Sequence, residues 1–197
     1  MKERTDKRII RSKSAIKKAF LNLLYRKPFE QITISEIVGE ANYNRGTFYS
    51  NFETKDCLLY EVIDDVLNEM INQIRKPYQT TERVDMEQLK ISDVTLFKYF
   101  KENMSLYKLL LSDHIRVDFR FKMAKAIEKM FIEEYKYELG DESIDIKWLY
   151  TYRAYGLTGL IIRWIEEDCP DTPEYMTDQT LKLMTTATKV FHVKKNI

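Results

Sequence analysis

Apolar residues recur along this chain with the 3.6-residue period of α-helices from near the start to near the end. Ile9, Ile16, Ala19, Phe20, Leu23 and Leu24 form one stripe, with Ser12, Lys13, Lys17 and Lys18 largely outside it. Pro28 stops this first helix near residues 25–27. Thr33 followed three residues later by Glu36 fits a capping box and opens a second helix of about two turns. Its inward side is Ile34, Ile37, Val38 and Ala41. Asn42 falls at its C-terminal turn, where asparagine tolerates a left-handed backbone. Asn44 is a good N-cap type for a third, short helix that turns Phe48 and Phe52 inward together. A long helix followed by two short ones joined by a tight turn is a helix-turn-helix arrangement.

Thr54 caps a fourth, long helix over 55–75, with the stripe Leu59, Val62, Ile63, Val66, Leu67, Met70, Ile71 and Ile74, and Pro77 marks its end. Residues 76–88 are polar and read as a loop. Five more helices are expected near 90–102, 105–112, 115–138, 145–168 and 174–191, with Gly140 and the Pro170–Pro173 pair as punctuation. No segment of useful length alternates with the period of a strand. The expected fold class is therefore all-α, with about nine helices.

Composition narrows the class. The 197 residues include only 5 glycines and 4 prolines, against Gly/Pro-rich β architectures and flexible linkers. No apolar run is long enough for a transmembrane helix, and no apolar stretch follows the charged N-terminus as a leader would require. Cys57 and Cys169 cannot form a disulfide framework and point to a reducing, cytoplasmic location. Cys57 is expected to be buried and Cys169, before Pro170, exposed. Charge is unevenly distributed. Residues 1–55 hold 12 Lys/Arg against 6 Asp/Glu, a net +6, while the rest hold 20 against 25, a net −5. A basic end on a near-neutral chain suits a polyanion partner. Residues 1–8 read as a disordered tail or, less favoured, as a minor-groove arm.

Three stretches of the first 62 residues carry a family likeness. They are Ile-Thr-Ile-Ser-Glu-Ile at 32–37, Arg-Gly-Thr-Phe-Tyr at 45–49, and Phe-x-x-Lys-Asp-x-Leu-Leu at 52–59. Together they resemble the DNA-binding domain of the TetR family of bacterial transcription regulators. The resemblance implies an N-terminal three-helix helix-turn-helix domain over 1–54 and a helical C-terminal ligand and dimerisation domain over 55–197, with helix 4 connecting the two. It also implies a double-stranded DNA operator as partner, read in the major groove by the third helix. The residues expected at the DNA are Thr33, Ser35, Tyr43, Asn44, Arg45, Gly46, Thr47, Tyr49 and Lys55. Arg45 and Thr47 are expected to read bases, Tyr49 and Lys55 to hold phosphates, and Thr33 to favour an anion at a helix N-terminus. Gly46 costs about 1 kcal/mol in a helix relative to alanine, which suits a close approach to DNA or to a neighbouring helix. Asn42 and Tyr43 stand where the family most often has glycine and a small aliphatic residue.

The stretch Tyr150–Glu167, with Tyr-x-x-Tyr-Gly-Leu-Thr-Gly-Leu-Ile-Ile-Arg-Trp, resembles a C-terminal subtype that includes dihydroxyacetone-kinase operon activators. Homodimer contacts are expected at Gly156, Gly159, Leu160, Trp164, Leu181, Met184 and Thr188. A pocket for a small apolar or amphipathic ligand is expected among Phe97, Phe100, Tyr107, Phe121, Tyr152 and Tyr155, although aromatic spacing of this kind more often describes plain core.

Catalytic chemistry finds no footing. The two histidines, His114 and His192, form no metal-ligand spacing, and no P-loop, Cys-x-x-Cys or nucleophile elbow occurs. No catalytic residue, metal or cofactor is expected, and no membrane partner. The leading reading is a repressor that binds a palindromic operator as a dimer and leaves it on binding a small ligand. The alternative is an activator or co-activator whose C-terminal domain binds a protein.

Overall fold

A computed structural model describes residues 2–79, 83–85, 89, 91, 94–139, 141 and 143–186. Gly140, Thr188 and His192 lie outside the described residues. Among these residues the chain forms nine α-helices, two short 3-10 turns and no strand. In order they are α1 (Lys2–Leu24), α2 (Ile34–Glu40), α3 (Arg45–Tyr49), α4 (Lys55–Arg75), α5 (Leu96–Glu102), α6 (Met104–Leu111), α7 (Phe119–Glu134), α8 (Ile146–Glu166) and α9 (Pro173–Thr185). The 3-10 turns are Phe29–Gln31 and Lys76–Tyr78.

The chain divides into two compact units, residues 1–71 with 103–126, and residues 72–102 with 127–197. The first unit is built on α1 and the N-terminal part of α4. Ile16, Phe20 and Leu24 of α1 are fully buried, as are Ile37, Phe48, Leu58 and Ile63. Every residue of the expected α4 stripe is buried. A ladder of ion pairs runs along the outer edge, Lys13 to Glu61 at 2.8 Å, and Lys17 to Glu61 and Asp65 at 2.5 Å each. Helix α6 and the start of α7 complete this unit, with Tyr107 and Phe119 buried in ring contact at 6.0 Å. The turn between them is tied down by His114, whose backbone carbonyl accepts from Phe29 N at 2.8 Å and whose Nδ1 lies 2.9 Å from Leu24 O.

Two details of α1 depart from the periodicity. Ile9 is 45% exposed, whereas Ser12 is buried and donates to Ile9 O at 2.9 Å. The hydroxyl is tolerated inside because Asn51 Nδ2 also donates to it at 3.2 Å. Residues 2–8 are the first turns of α1, neither a loose tail nor an extended arm.

The second unit packs α5, α8 and α9 against one another. Phe97, Phe100, Ile127, Ile161 and Ile165 are its buried centre, and Phe97 meets Trp164 edge to face at 5.3 Å. Helix α7 starts later than expected because Asp118 Oδ1 accepts from Phe121 N at 2.9 Å and acts as its N-cap. Helix α8 ends in a Schellman turn. Asp168 and Cys169 take φ of 63° and 52°, and Cys169 N donates to Trp164 O at 2.8 Å. That turn buries Cys169, while Cys57, in the first turn of α4, is exposed, so the two thiols reverse the sequence expectation.

Candidate nucleic-acid interface and ligand cavity

The two short helices of the first unit are fixed by caps at nearly every end. Thr33 Oγ1 accepts from Glu36 N at 3.3 Å, and Thr33 N donates to Glu36 Oε2 at 2.9 Å, which is the reciprocal capping box. Lys27 Nζ reaches Glu36 Oε1 at 2.5 Å. The bond from Lys27, with those from Thr33, holds the Glu36 carboxyl down at about 2, below its usual 4.5. The anion at this helix start is therefore supplied by the chain itself. Thr33, expected to favour an anion at this helix start, commits its backbone N–H and its hydroxyl to Glu36.

Helix α2 closes on Asn42, whose φ of 56° supplies the left-handed residue, and Tyr43 N donates to Val38 O at 2.8 Å. Asn44 then caps α3, its Oδ1 accepting from Thr47 N at 2.8 Å and Thr47 Oγ1 at 3.1 Å. Gly46 leaves room for that cap, because a Cβ there would stand 3.3 Å from Asn44 Oδ1. The close neighbour is thus within the turn. Asn51 Nδ2 donates to Thr47 O at 2.7 Å and to Ser12 on α1, so the end of α3 is pinned from below. Nothing in the apolar pattern signalled Ser12 or Asn51. Ser12, expected largely outside the apolar stripe, stands three residues after Ile9 and four before Ile16 and so falls on the inward face, and that spacing was the available clue.

Phe48 and Phe52 are buried in ring contact at 5.7 Å and face α3 inward. Its outer side then presents Arg45, exposed, and Tyr49, 56% exposed, with Tyr43 just before it, 38% exposed. Arg45 Nε donates to Ser35 Oγ at 3.2 Å, and Nη2 donates to the same oxygen. Ser35, Tyr43, Arg45 and Tyr49 are therefore all solvent-facing residues of the helix-turn-helix.

Lys55 is placed differently. Its Nζ donates to Phe29 O at 2.6 Å and Ile32 O at 2.7 Å and lies 4.1 Å from the centre of the Phe29 ring. Burial pushes its pKa below the usual 10.5. The ammonium expected to anchor a phosphate is turned onto the carbonyls at the end of the 3-10 turn, adding a second donor to Phe29 O, which already accepts from Ile32 N at 3.1 Å, and one to Ile32 O.

The second unit contains a cavity of about 420 Å³. Ile74, Phe97, Phe131 and Leu157 give it apolar walls, and Arg75, Glu134, Arg153, Thr177 and Thr180 add polar groups. Arg75 and Glu134 form a forked pair, Nε to Oε2 at 2.8 Å and Nη2 to Oε1. Arg153 Nη2 donates to Met184 O at 3.2 Å, and its guanidinium carbon lies 4.2 Å from the centre of the Tyr137 ring. Burial raises the Tyr137 phenol above its usual 10.0, against the opposing pull of Arg153.

Of the six aromatic residues expected in a pocket, only Phe97 lines this cavity. Phe100 and Tyr107 are fully buried core. Phe121, Tyr152 and Tyr155 are exposed, because their helices turn a different face inward. The expected dimer residues also separate. Trp164 is buried and donates to Asp171 O at 3.3 Å, while Leu181 and Met184 line the cavity. Leu160 is half-buried. Gly156 and Gly159 are exposed, with open space where a Cβ would stand. They share an uncovered face of α8 with Trp148, Tyr152 and Tyr155.

Among the described residues no three His, Cys, Asp or Glu side chains group to hold a metal ion, and no helix is long and apolar enough to cross a membrane.

Residues 16–62 match the family model of bacterial regulatory proteins of the tetR family, and residues 87–186 match that of a transcriptional regulator C-terminal region. An uncharacterized HTH-type transcriptional regulator of Bacillus subtilis, YxbF, is 26% identical over 184 residues, 91% of this chain and 46% of its own length. The chain spans about half the length of the curated relatives it matches. A TetR transcriptional regulator from Streptococcus agalactiae 2603V has a similar structure, with TM-score 0.62 at 25% identity over 93% of this chain and 99% of its own. The dihydroxyacetone kinase operon activator DhaS shares the fold, with TM-score 0.60 at 20% identity over 88% of this chain and 93% of its own.

Proposed function

This chain belongs to the TetR family of bacterial regulatory proteins, and from that premise we propose that it regulates transcription by binding an operator duplex as a homodimer. The observation that carries the reading is the outer side of α3. Arg45 and Tyr49 stand exposed there on a helix whose inner side is locked by Phe48, Asn44 and Asn51. A guanidinium held by Ser35 at the start of such a helix suits a guanine edge or a phosphate in the major groove. Tyr49 and Tyr43 offer hydroxyls to the sugar-phosphate backbone, and Ser35 holds the arginine in place. Thr47 supplies its methyl group for contact with a thymine. The location is then that of the chromosome, the cytoplasm.

The exposed face of α8 supports the homodimer. Gly156 and Gly159 let a second helix approach closely, and Trp148, Tyr152 and Tyr155 flank them with apolar surface to bury. A second copy placed there by two-fold symmetry matches a palindromic site with half-sites about 34 Å apart. The cavity supports release by a small ligand over capture of a protein partner, since a filled core would have left no such space. Ligand shifts the dimer away from DNA only if it binds the released state more tightly. The sign of regulation, repression or the activation that the name of DhaS carries, follows from where the operator lies relative to the promoter.

Fluorescence anisotropy tests the reading. Labelled DNA from upstream of the protein's own gene is titrated against scrambled DNA of equal length across a salt series. Specificity above about a thousandfold with a steep salt slope is the expected result. Equal, weak binding to both duplexes, unchanged by Arg45→Ala with Tyr49→Ala, overturns it.

A further inference from the structure

The charged groups around the cavity are unequal in a way that selects a ligand. Arg75 and Glu134 neutralise each other through a forked pair. Lys136 also borders the cavity but is exposed to water. Arg153 is half-buried, and among the described residues no carboxylate pairs with it. Its only partners there are the Met184 carbonyl and Tyr137. A guanidinium has five N–H donors, and a half-buried cation without a counter-charge costs free energy. On α9, Thr180 is 9% exposed and lines the same cavity, and its Oγ1 is shielded from solvent with no hydrogen-bond partner among the described residues. A cation and an unused hydroxyl thus border a cavity whose remaining wall is largely Ile74, Phe97, Phe131 and Leu157.

We infer that the cavity takes an amphipathic monocarboxylate, its head bound by the Arg153 guanidinium and the Thr180 hydroxyl and its hydrocarbon body lying along Phe97, Phe131 and Leu157. The charge count favours a carboxylate over a phosphate monoester. One half-buried cation balances one negative charge, and a second would meet only Lys136, which is exposed to water and already hydrated. A neutral alcohol of the same length would fill the walls and leave Arg153 as it is. The volume is within the range of sites that enclose small ligands. The inference rests on the reading of the cavity as the regulatory site.

Isothermal titration calorimetry on the full chain tests it, with decanoate, decan-1-ol and decyltrimethylammonium as probes below their aggregation concentrations. Decanoate is expected to bind at least tenfold more tightly than the alcohol, and the ammonium weakest. Arg153→Gln is expected to remove the preference for decanoate and leave the alcohol unchanged. Arg153→Lys should restore part of that preference, and Thr180→Val should weaken decanoate several-fold. Circular dichroism melts check that each variant is folded. Equal binding of decanoate and decanol, absence of decanoate binding, or an unchanged decanoate affinity in folded Arg153→Gln overturns the inference. Operator binding is followed in parallel by anisotropy. Specific DNA binding without decanoate binding removes the ligand inference alone, and decanoate binding without specific DNA binding removes the regulator reading alone.

Discussion

Ser35 accepts from both Nε and Nη2 of Arg45 and so joins α2 to α3 across their exposed faces. This leaves the remaining N–H groups of the guanidinium pointing away from the serine. An arginine already held in one geometry loses less side-chain entropy on meeting DNA. Arg45→Ala should therefore lower specific operator affinity by about 1–3 kcal/mol, the range of a bidentate base contact. Ser35→Ala should cost less, since only the positioning is lost. Anisotropy with single-base operator variants checks this. A uniform loss on specific and scrambled DNA would reassign Arg45 to the phosphate backbone.

Lys55 should behave as a structural residue. Lys55→Met removes the ammonium from Ile32 O and from Phe29 O, which keeps its bond from Ile32 N, and hydrogen bonds to charged groups contribute about 1.5–3 kcal/mol each at most. Urea denaturation is expected to show a loss of about 1–3 kcal/mol in total, since water reaches part of the site. The salt dependence of DNA binding should stay the same. A salt slope reduced by about one unit would instead mark a phosphate contact.

The capping box sets an acid limit. The Glu36 carboxyl titrates at about 2 in the folded chain and at its usual 4.5 when unfolded. A depressed carboxylate stabilises the fold above the unfolded value, and that contribution is lost as pH falls from 4.5 towards 2. Glu36→Gln should be less stable than the parent at neutral pH, with the gap narrowing through that acid window. Parallel urea melts over the pH series measure it, and a gap constant with pH would contradict the assignment.

The uncovered face of α8 makes a sharp prediction about assembly. Tyr152→Asp and Gly159→Glu place charge where a second copy would lie, yet neither side chain has a packing role in its own chain, since Tyr152 is 76% exposed and Gly159 faces open space. Light scattering should find monomers for both variants. Their thermal midpoints should move only through lost dimerisation, and binding to a full palindrome should fall towards that of a half-site. Dimers of unchanged strength would place the interface elsewhere.

Thiol reactivity separates the two cysteines. Cys57 is exposed and Cys169 is buried in the Schellman turn. A thiol-reactive dye should label one site rapidly in the native chain and the second only on unfolding. Peptide mapping should place the first at Cys57.

The helices were legible because each obeys a local rule. The α4 stripe, the Thr33–Glu36 box and the turn at Asn42 are all written within a few residues of one another, and the structure has each where the sequence puts it. What escaped depends on partners distant in sequence. Lys55 is used on carbonyls 26 and 23 positions away, and Ser12 is buried because Asn51, 39 positions on, bonds to it. Five of the six aromatic residues expected in a pocket lie away from the cavity, because a stripe of large rings does not reveal which side of its helix faces it. Tyr152 and Tyr155 lie on the outer side of α8, and Arg153 between them borders the cavity.

The His114 turn has a consequence for anyone hoping to transplant the DNA-reading part of this chain. Leu24 O at the end of α1 and Phe29 N in the following 3-10 turn both take their partner from that one residue, about ninety positions downstream of Leu24. Tyr107, Phe119 and Met123 fill the same unit from beyond residue 102. The chain leaves this unit after Ile71 and comes back to finish it. A fragment cut within α4 would carry the complete recognition motif but an unfinished support. A hybrid regulator joined at that helix would need the returning segment to come from the same parent as the head.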